Sequence, residues 1–78
     1  MRTIRITHHD EGVYGWWFTS SDIPGLVGGP DNDADFEASC RWAEDAVRFH
    51  LEGEAEERGE PSVEDARVVH LVASPAAA

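Results

Sequence analysis

Gly15-Trp16-Trp17-Phe18-Thr19-Ser20-Ser21-Asp22-Ile23-Pro24-Gly25-Leu26 reads as an aromatic strand running straight into a tight turn. Aromatic and β-branched side chains suit a pleated, half-buried surface, and residues 13–19 are rich in them. Tyr14, Trp16 and Phe18 fall on one face of that strand, and Val13, Trp17 and Thr19 on the other. Both faces therefore carry a large aromatic. One face meets a core and the other meets a second surface; the alternation does not say which Trp lies where. Pro24 presets φ and Gly25 accepts a positive φ, the combination a type II turn requires. Leu26 and Val27 then begin a short third strand, and 28–32 form a loop.

Upstream, Ile4 and Ile6 alternate with Thr3, Arg5 and Thr7, which gives a half-buried first strand over 2–8. His8-His9-Asp10-Glu11-Gly12 is polar and ends in Gly, so it reads as a turn. Downstream, a helix is expected from Asp33 or Asp35, either of which can cap it, with Glu37 favouring the positive end of the helix dipole. Phe36, Cys40, Ala43, Val47 and Leu51 recur at helical spacing, widened by Ala46 and His50, and make one apolar face. Glu37–Arg41, Arg41–Asp45 and Glu44–Arg48 are spaced to pair on the solvent side. Trp42 and Phe49 leave the main stripe and form a second patch or cover the helix–sheet edge. Gly59 followed by Pro61 ends the helix. Residues 52–65 are acidic and solvated, and 66–72 alternate again as a last strand. The order is β-β-β-α-β, a two-layer α+β domain over 1–72 with the last strand returning beside the first. Residues 73–78 read as a disordered tail.

The ordered set of these features resembles the HicB-like antitoxins, in the short form that holds only the N-terminal domain. The residues that carry the likeness are the opening strand and polar turn from Arg2 to Gly12 and the aromatic strand with its Pro-Gly-Leu end from Trp16 to Leu26. They continue with Asp35-Phe36-Glu37, Ala43-Glu44-Asp45-Ala46 and His50-Leu51-Glu52 on the helix, then Pro61 and the last strand. The loop over 28–34 is longer than that family's usual connection. No counterpart of the family's additional DNA-binding domain follows the last strand, so direct operator binding by this chain alone is not expected. The resemblance implies a partial ribonuclease-H-like sheet without catalytic carboxylates. It also implies neutralisation of a small basic HicA-type toxin that cleaves messenger RNA.

Charge agrees with a basic partner. The 78 residues carry a formal net charge of −10, which disfavours phosphate backbones and would steer a cationic protein. No signal peptide or membrane-spanning run stands out, and Cys40 is the lone cysteine, so a reduced, cytoplasmic setting is expected. A chain this short is marginal by itself, and a homo-oligomer, dimer or tetramer, is the expected remedy.

No constellation announces chemistry, so the chain is expected to bind and not to catalyse, with no cofactor. Asp31-x-Asp33-x-Asp35 begins like a calcium loop, but Phe36 stands where that loop needs Gly and Trp42 where it needs Glu. His8-His9-Asp10 is a poor metal seat, because neighbours on an extended chain point apart. His70 reads as a core or interface residue and Cys40 as core filler, its thiol pushed up by burial. Ser20-Ser21 has no evident base, and Ile4-Arg5-Ile6 supplies no carboxylate for a two-metal nuclease site. The expected partner-binding residues are Trp16, Trp17 and Trp42 as anchors, with Asp31, Asp33, Asp35, Glu52 and Glu56 setting orientation. The alternative is a stand-alone oligomeric structural or regulatory module of the same fold.

Overall fold

The computed structural model describes residues 1–29, 35–63 and 65–73. Asp31, Asp33 and nearly all of the expected tail lie outside the described residues. The elements are β1 (Arg2–Asp10), a 3-10 turn (Gly12–Tyr14), β2 (Trp16–Ser20), β3 (Val27–Gly28), α1 (Phe36–Arg58) and β4 (Ala66–Val72). The sheet order is β3-β2-β1-β4. β1 lies antiparallel to β2 and parallel to β4, so the last strand returns beside the first as the sequence implies.

The chain is a two-layer α+β domain, with α1 packed on one face of the sheet. Ile4 and Ile6 of β1, Phe18 of β2, Ile23, and Ala43, Val47 and Leu51 of α1 form the core. Ile23 is buried although it belongs to the turn after β2. Pro24 and Gly25 fold the chain back behind it: Gly25 has φ +82° and the Leu26 amide donates to the Ile23 carbonyl at 3.1 Å. That is the type II turn expected from Pro24-Gly25. Arg5 fixes the same turn from the opposite sheet face. Its amide, Nε and Nη2 donate to the Asp22 carboxylate at 2.7, 3.1 and 3.0 Å. The hydrogen bonds from Arg5 hold the Asp22 carboxyl down to about 2.

Three boundaries differ from the sequence reading. β3 covers Val27–Gly28, one residue later than the expected Leu26–Val27. β1 does not stop at His8 but runs to Asp10, because His8 continues the buried Ile4–Ile6 face and His9 pairs with Trp17 on the other. The turn is displaced along the chain, so Val13 and Tyr14 sit in the 3-10 segment and are exposed, and β2 begins at Trp16. The Asp10 carboxylate stabilises that turn by accepting from the Gly12 amide at 2.9 Å.

The helix is bounded as its residues dictate. Asp35 caps it, its side chain accepting from the Ala38 amide at 2.9 Å, and Glu37 sits in the first turn. Gly59 takes the left-handed conformation at φ +69°. The Gly59 amide donates to the Glu56 carbonyl and the Glu60 amide to the Ala55 carbonyl, a Schellman closure. The buried stripe is Ser39, Ala43, Val47, Leu51 and Ala55, a strict four-residue repeat. Phe36 and Cys40, expected on that stripe, flank it half-buried. The three solvent-side pairs expected on α1 do not close among the described residues. Glu54 instead gathers Arg2, His50 and Arg58 at 3.2, 2.7 and 2.8 Å, and Glu44 turns to His70 of β4.

Candidate functional site

Where β1, β4 and α1 meet, four polar side chains and one thiol converge under the aromatic end of the sheet. His8 is fully buried on β1. Its Nδ1 lies 2.7 Å from Ser39 Oγ, itself fully buried on α1. Its Nε2 lies 2.8 Å from Nδ1 of His70 on β4 and 3.7 Å from Sγ of Cys40 on α1. His70 Nε2 in turn lies 3.1 Å from Glu44 Oε1, one helical turn beyond Cys40. His70 and Cys40 are partly exposed, so the cluster opens toward solvent on that side.

The register explains the meeting. Ile6 pairs with His70 and His8 with Val72 across the parallel β1–β4 ladder, so the two imidazoles are diagonal neighbours on the helix-facing side. Phe36 sets its edge against His8 with ring centroids 5.0 Å apart, and Phe18 closes the other flank at 6.1 Å. Among the described residues no buried side-chain nitrogen or oxygen lacks a partner.

With both imidazoles neutral, the network sets one consistent pair of tautomers. A carboxylate only accepts, so His70 Nε2 carries hydrogen toward Glu44. His70 Nδ1 is then an acceptor, and His8 Nε2–H donates to it. His8 Nδ1 accepts in turn from the Ser39 hydroxyl. Burial, with His70 and His9 adding to it, pushes the His8 imidazole down to about 4, so it is neutral at pH 7. Burial, then Glu44 and Glu37, pushes the Cys40 thiol up. Ser39 lies beneath the helix with no route for a substrate to its hydroxyl, and a raised thiol is a poor nucleophile. The group is suited to holding the neutral His8 imidazole and its His70 partner in fixed orientation.

The residues expected to anchor a partner fall on three separate surfaces. Trp16 shares the helix-facing side with Phe18 and packs against Phe36 at 5.2 Å, half-buried. Trp17 lies on the opposite sheet face, stacked on His9 at 4.1 Å, with Nε1 donating to Glu11 at 2.8 Å. Phe18, and neither Trp, is the core aromatic. Trp42 stands on the outer flank of α1, 54% exposed, with Phe49 at 78% two turns on. These two form a largely exposed second patch. With Leu26 and Ala46 they line a groove of about 550 Å³ whose rim carries Asp45, Glu54 and Glu57. Glu56 extends the Trp42–Phe49 row by another two turns and is exposed. Glu52 lies elsewhere, beside a second groove of about 490 Å³ lined by Val47, Leu51, Val63, Asp65 and Val68. Asp35 is engaged as the helix cap.

The sequence reading noted His8, Cys40 and His70 separately and did not join them, and it passed over Ser39. The available signal was that each of the three falls on the inward face of its own element. No helix among the described residues is long and apolar enough to cross a membrane. Compared with protein-family models, with curated proteins and with solved structures, the chain matches none of them.

Proposed function

We propose that this chain is an antitoxin-like binding module that covers a small basic toxin of the HicA type through the Trp42–Phe49 flank of α1. One observation carries the reading: two large aromatics stand exposed on a groove rimmed by Asp45, Glu54 and Glu57. A lone surface aromatic needs no explanation, but two at one groove mark a contact site. Glu54 is taken up by Arg2 and Arg58, but the exposed Asp45 and Glu57 on that groove and the net charge of −10 favour a cationic occupant and speed its encounter. The β-β-β-α-β order and the family likeness of the Trp16–Leu26 and Asp35–Glu52 segments support the same assignment. Occlusion needs no bond-making apparatus, and a cytoplasmic setting suits the free thiol of Cys40.

A second reading, self-association without a toxin, draws on the other sheet face. Thr7, Thr19, Trp17, Val69 and Leu71 lie there with no covering layer among the described residues, and Leu71 is 44% exposed.

Binding of a purified HicA-type toxin to the wild-type chain and to Trp42→Ala, at low and high salt, tests the proposal. A central Trp anchor truncated to Ala costs about 2 kcal/mol or more, roughly a thirtyfold loss of affinity. Salt should weaken the wild-type complex mainly by slowing its association. Wild-type affinity in Trp42→Ala, with loss confined to Trp17→Ala, would move the interface to the sheet and refute the flank assignment.

A further inference from the structure

We infer that His8, Cys40 and His70 form a binding site for a zinc-class divalent cation. Three observations carry this, and none depends on the proposed toxin contact.

The first is the ligand set. His8 Nε2, His70 Nδ1 and Cys40 Sγ all lie within 4.8 Å of one another. Imidazole nitrogen and thiolate sulfur are the donors that zinc prefers.

The second is distance. Tetrahedral zinc, with Zn–N about 2.05 Å and Zn–S about 2.3 Å, separates two nitrogens by roughly 3.3 Å and a nitrogen from a sulfur by roughly 3.6 Å. Here Cys40 Sγ is 3.7 Å from His8 Nε2 and the two imidazole nitrogens are 2.8 Å apart. The His8–Cys40 edge already matches, and the rings need part by only about 0.5 Å on this geometry. Cys40 Sγ lies within 4.8 Å of the His70 ligand atom, near enough to close on the ion by a side-chain adjustment.

The third is the outer shell. A metal-bound His typically donates its other ring N–H to a carboxylate or another oxygen, which fixes the tautomer and ring orientation. Both imidazoles have that partner: His70 Nε2 faces Glu44 at 3.1 Å, and His8 Nδ1 faces Ser39 at 2.7 Å. A hydroxyl both donates and accepts, so Ser39 serves either tautomer of His8. On binding, the His8 proton moves from Nε2 to Nδ1, and the bond to Ser39 reverses. Cys40 loses its thiol proton to solvent, and His70 needs no change. One proton is released per cation, and the thiolate and two imidazoles supply the three electron pairs. His70 and Cys40 are partly exposed, so water reaches the fourth position.

The three ligands come from β1, α1 and β4, so the ion would clamp the last strand and the helix to the central strand. That is a useful staple in a chain whose core is small.

The experiment is a cobalt(II) titration of the untagged, reduced, full chain, followed by zinc competition. The expected result is one cobalt per chain with a sulfur-to-metal charge-transfer band, displaced by zinc. Cys40→Ser should lose the band and weaken zinc binding at least tenfold while keeping the far-ultraviolet circular dichroism of the parent. Glu44→Gln should keep the band but bind roughly 10- to 100-fold more weakly. His50→Ala, whose ring pairs with Glu54 outside the cluster, should bind as the parent does. A parent chain without the band, or a folded Cys40→Ser variant with parental zinc affinity, would overturn the site.

Discussion

Acidifying the metal-free protein from about pH 7.5 to about pH 5 should destabilise it by about 2 kcal/mol through His8 alone. The His8 ring is fully buried and held down to about 4, against 6.5 in an open chain. Above pH 6.5 both states are neutral and the group is silent. As pH falls through that value the unfolded chain takes up a proton that the folded chain refuses, so stability falls with pH. The loss grows until the folded ring itself protonates near pH 4. The ceiling is about 3 kcal/mol, and about 2 kcal/mol is reached by pH 5.

The groups facing His8 are His70 of β4, Ser39 and Cys40 of α1 and His9 on its own strand, and none supplies a carboxylate to hold a buried imidazolium. For a domain of this size about 2 kcal/mol corresponds to roughly 8–16 °C in melting temperature. Urea melts in a chelating buffer across this range would measure it, with His8→Gln as the control. The variant should start lower and show a shallower slope. An equal slope in parent and variant, or no slope in the parent, would refute the assignment of a buried neutral His8.

The remaining predictions concern the same fold. Ser39→Ala should cost about 1–3 kcal/mol in a urea melt, because it leaves a buried imidazole nitrogen without a partner. Asp35→Ala should cost about 1 kcal/mol by the same assay, since the Ala38 amide loses its acceptor. Ile6→Ala should cost about 2–5 kcal/mol, whereas Thr7→Ala on the uncovered face should cost far less, and equal losses would mean the sheet's faces are misassigned.

Much of the fold was legible because its signals are local. Pro24-Gly25 dictates its turn, Asp35 and Gly59 mark the ends of α1, and the alternation in 2–8 and 66–72 marks two strands whatever surrounds them. The failures were of two physical kinds. The polar run after Ile6 was read by composition as a turn, although His8 extends the buried face and finds hydrogen-bond partners there. The cluster itself is a product of register: His8 and His70 are 62 positions apart and meet only because β1 and β4 align Ile6 with His70. Adjacent His8 and His9 do point apart, as an extended chain requires; the company His8 keeps comes from another strand. The Trp residues show the same limit. Periodicity separated Trp16 from Trp17 but could not say that Phe18, which follows them and shares the face of Trp16, would take the core position.

The most direct test of the central claim is a messenger-RNA cleavage assay with a purified HicA-type toxin and increasing amounts of this chain. Covering of the toxin predicts that cleavage falls to background near equimolar chain and that Trp42→Ala needs far more protein for the same protection. Undiminished cleavage at a large excess of correctly folded chain would contradict it.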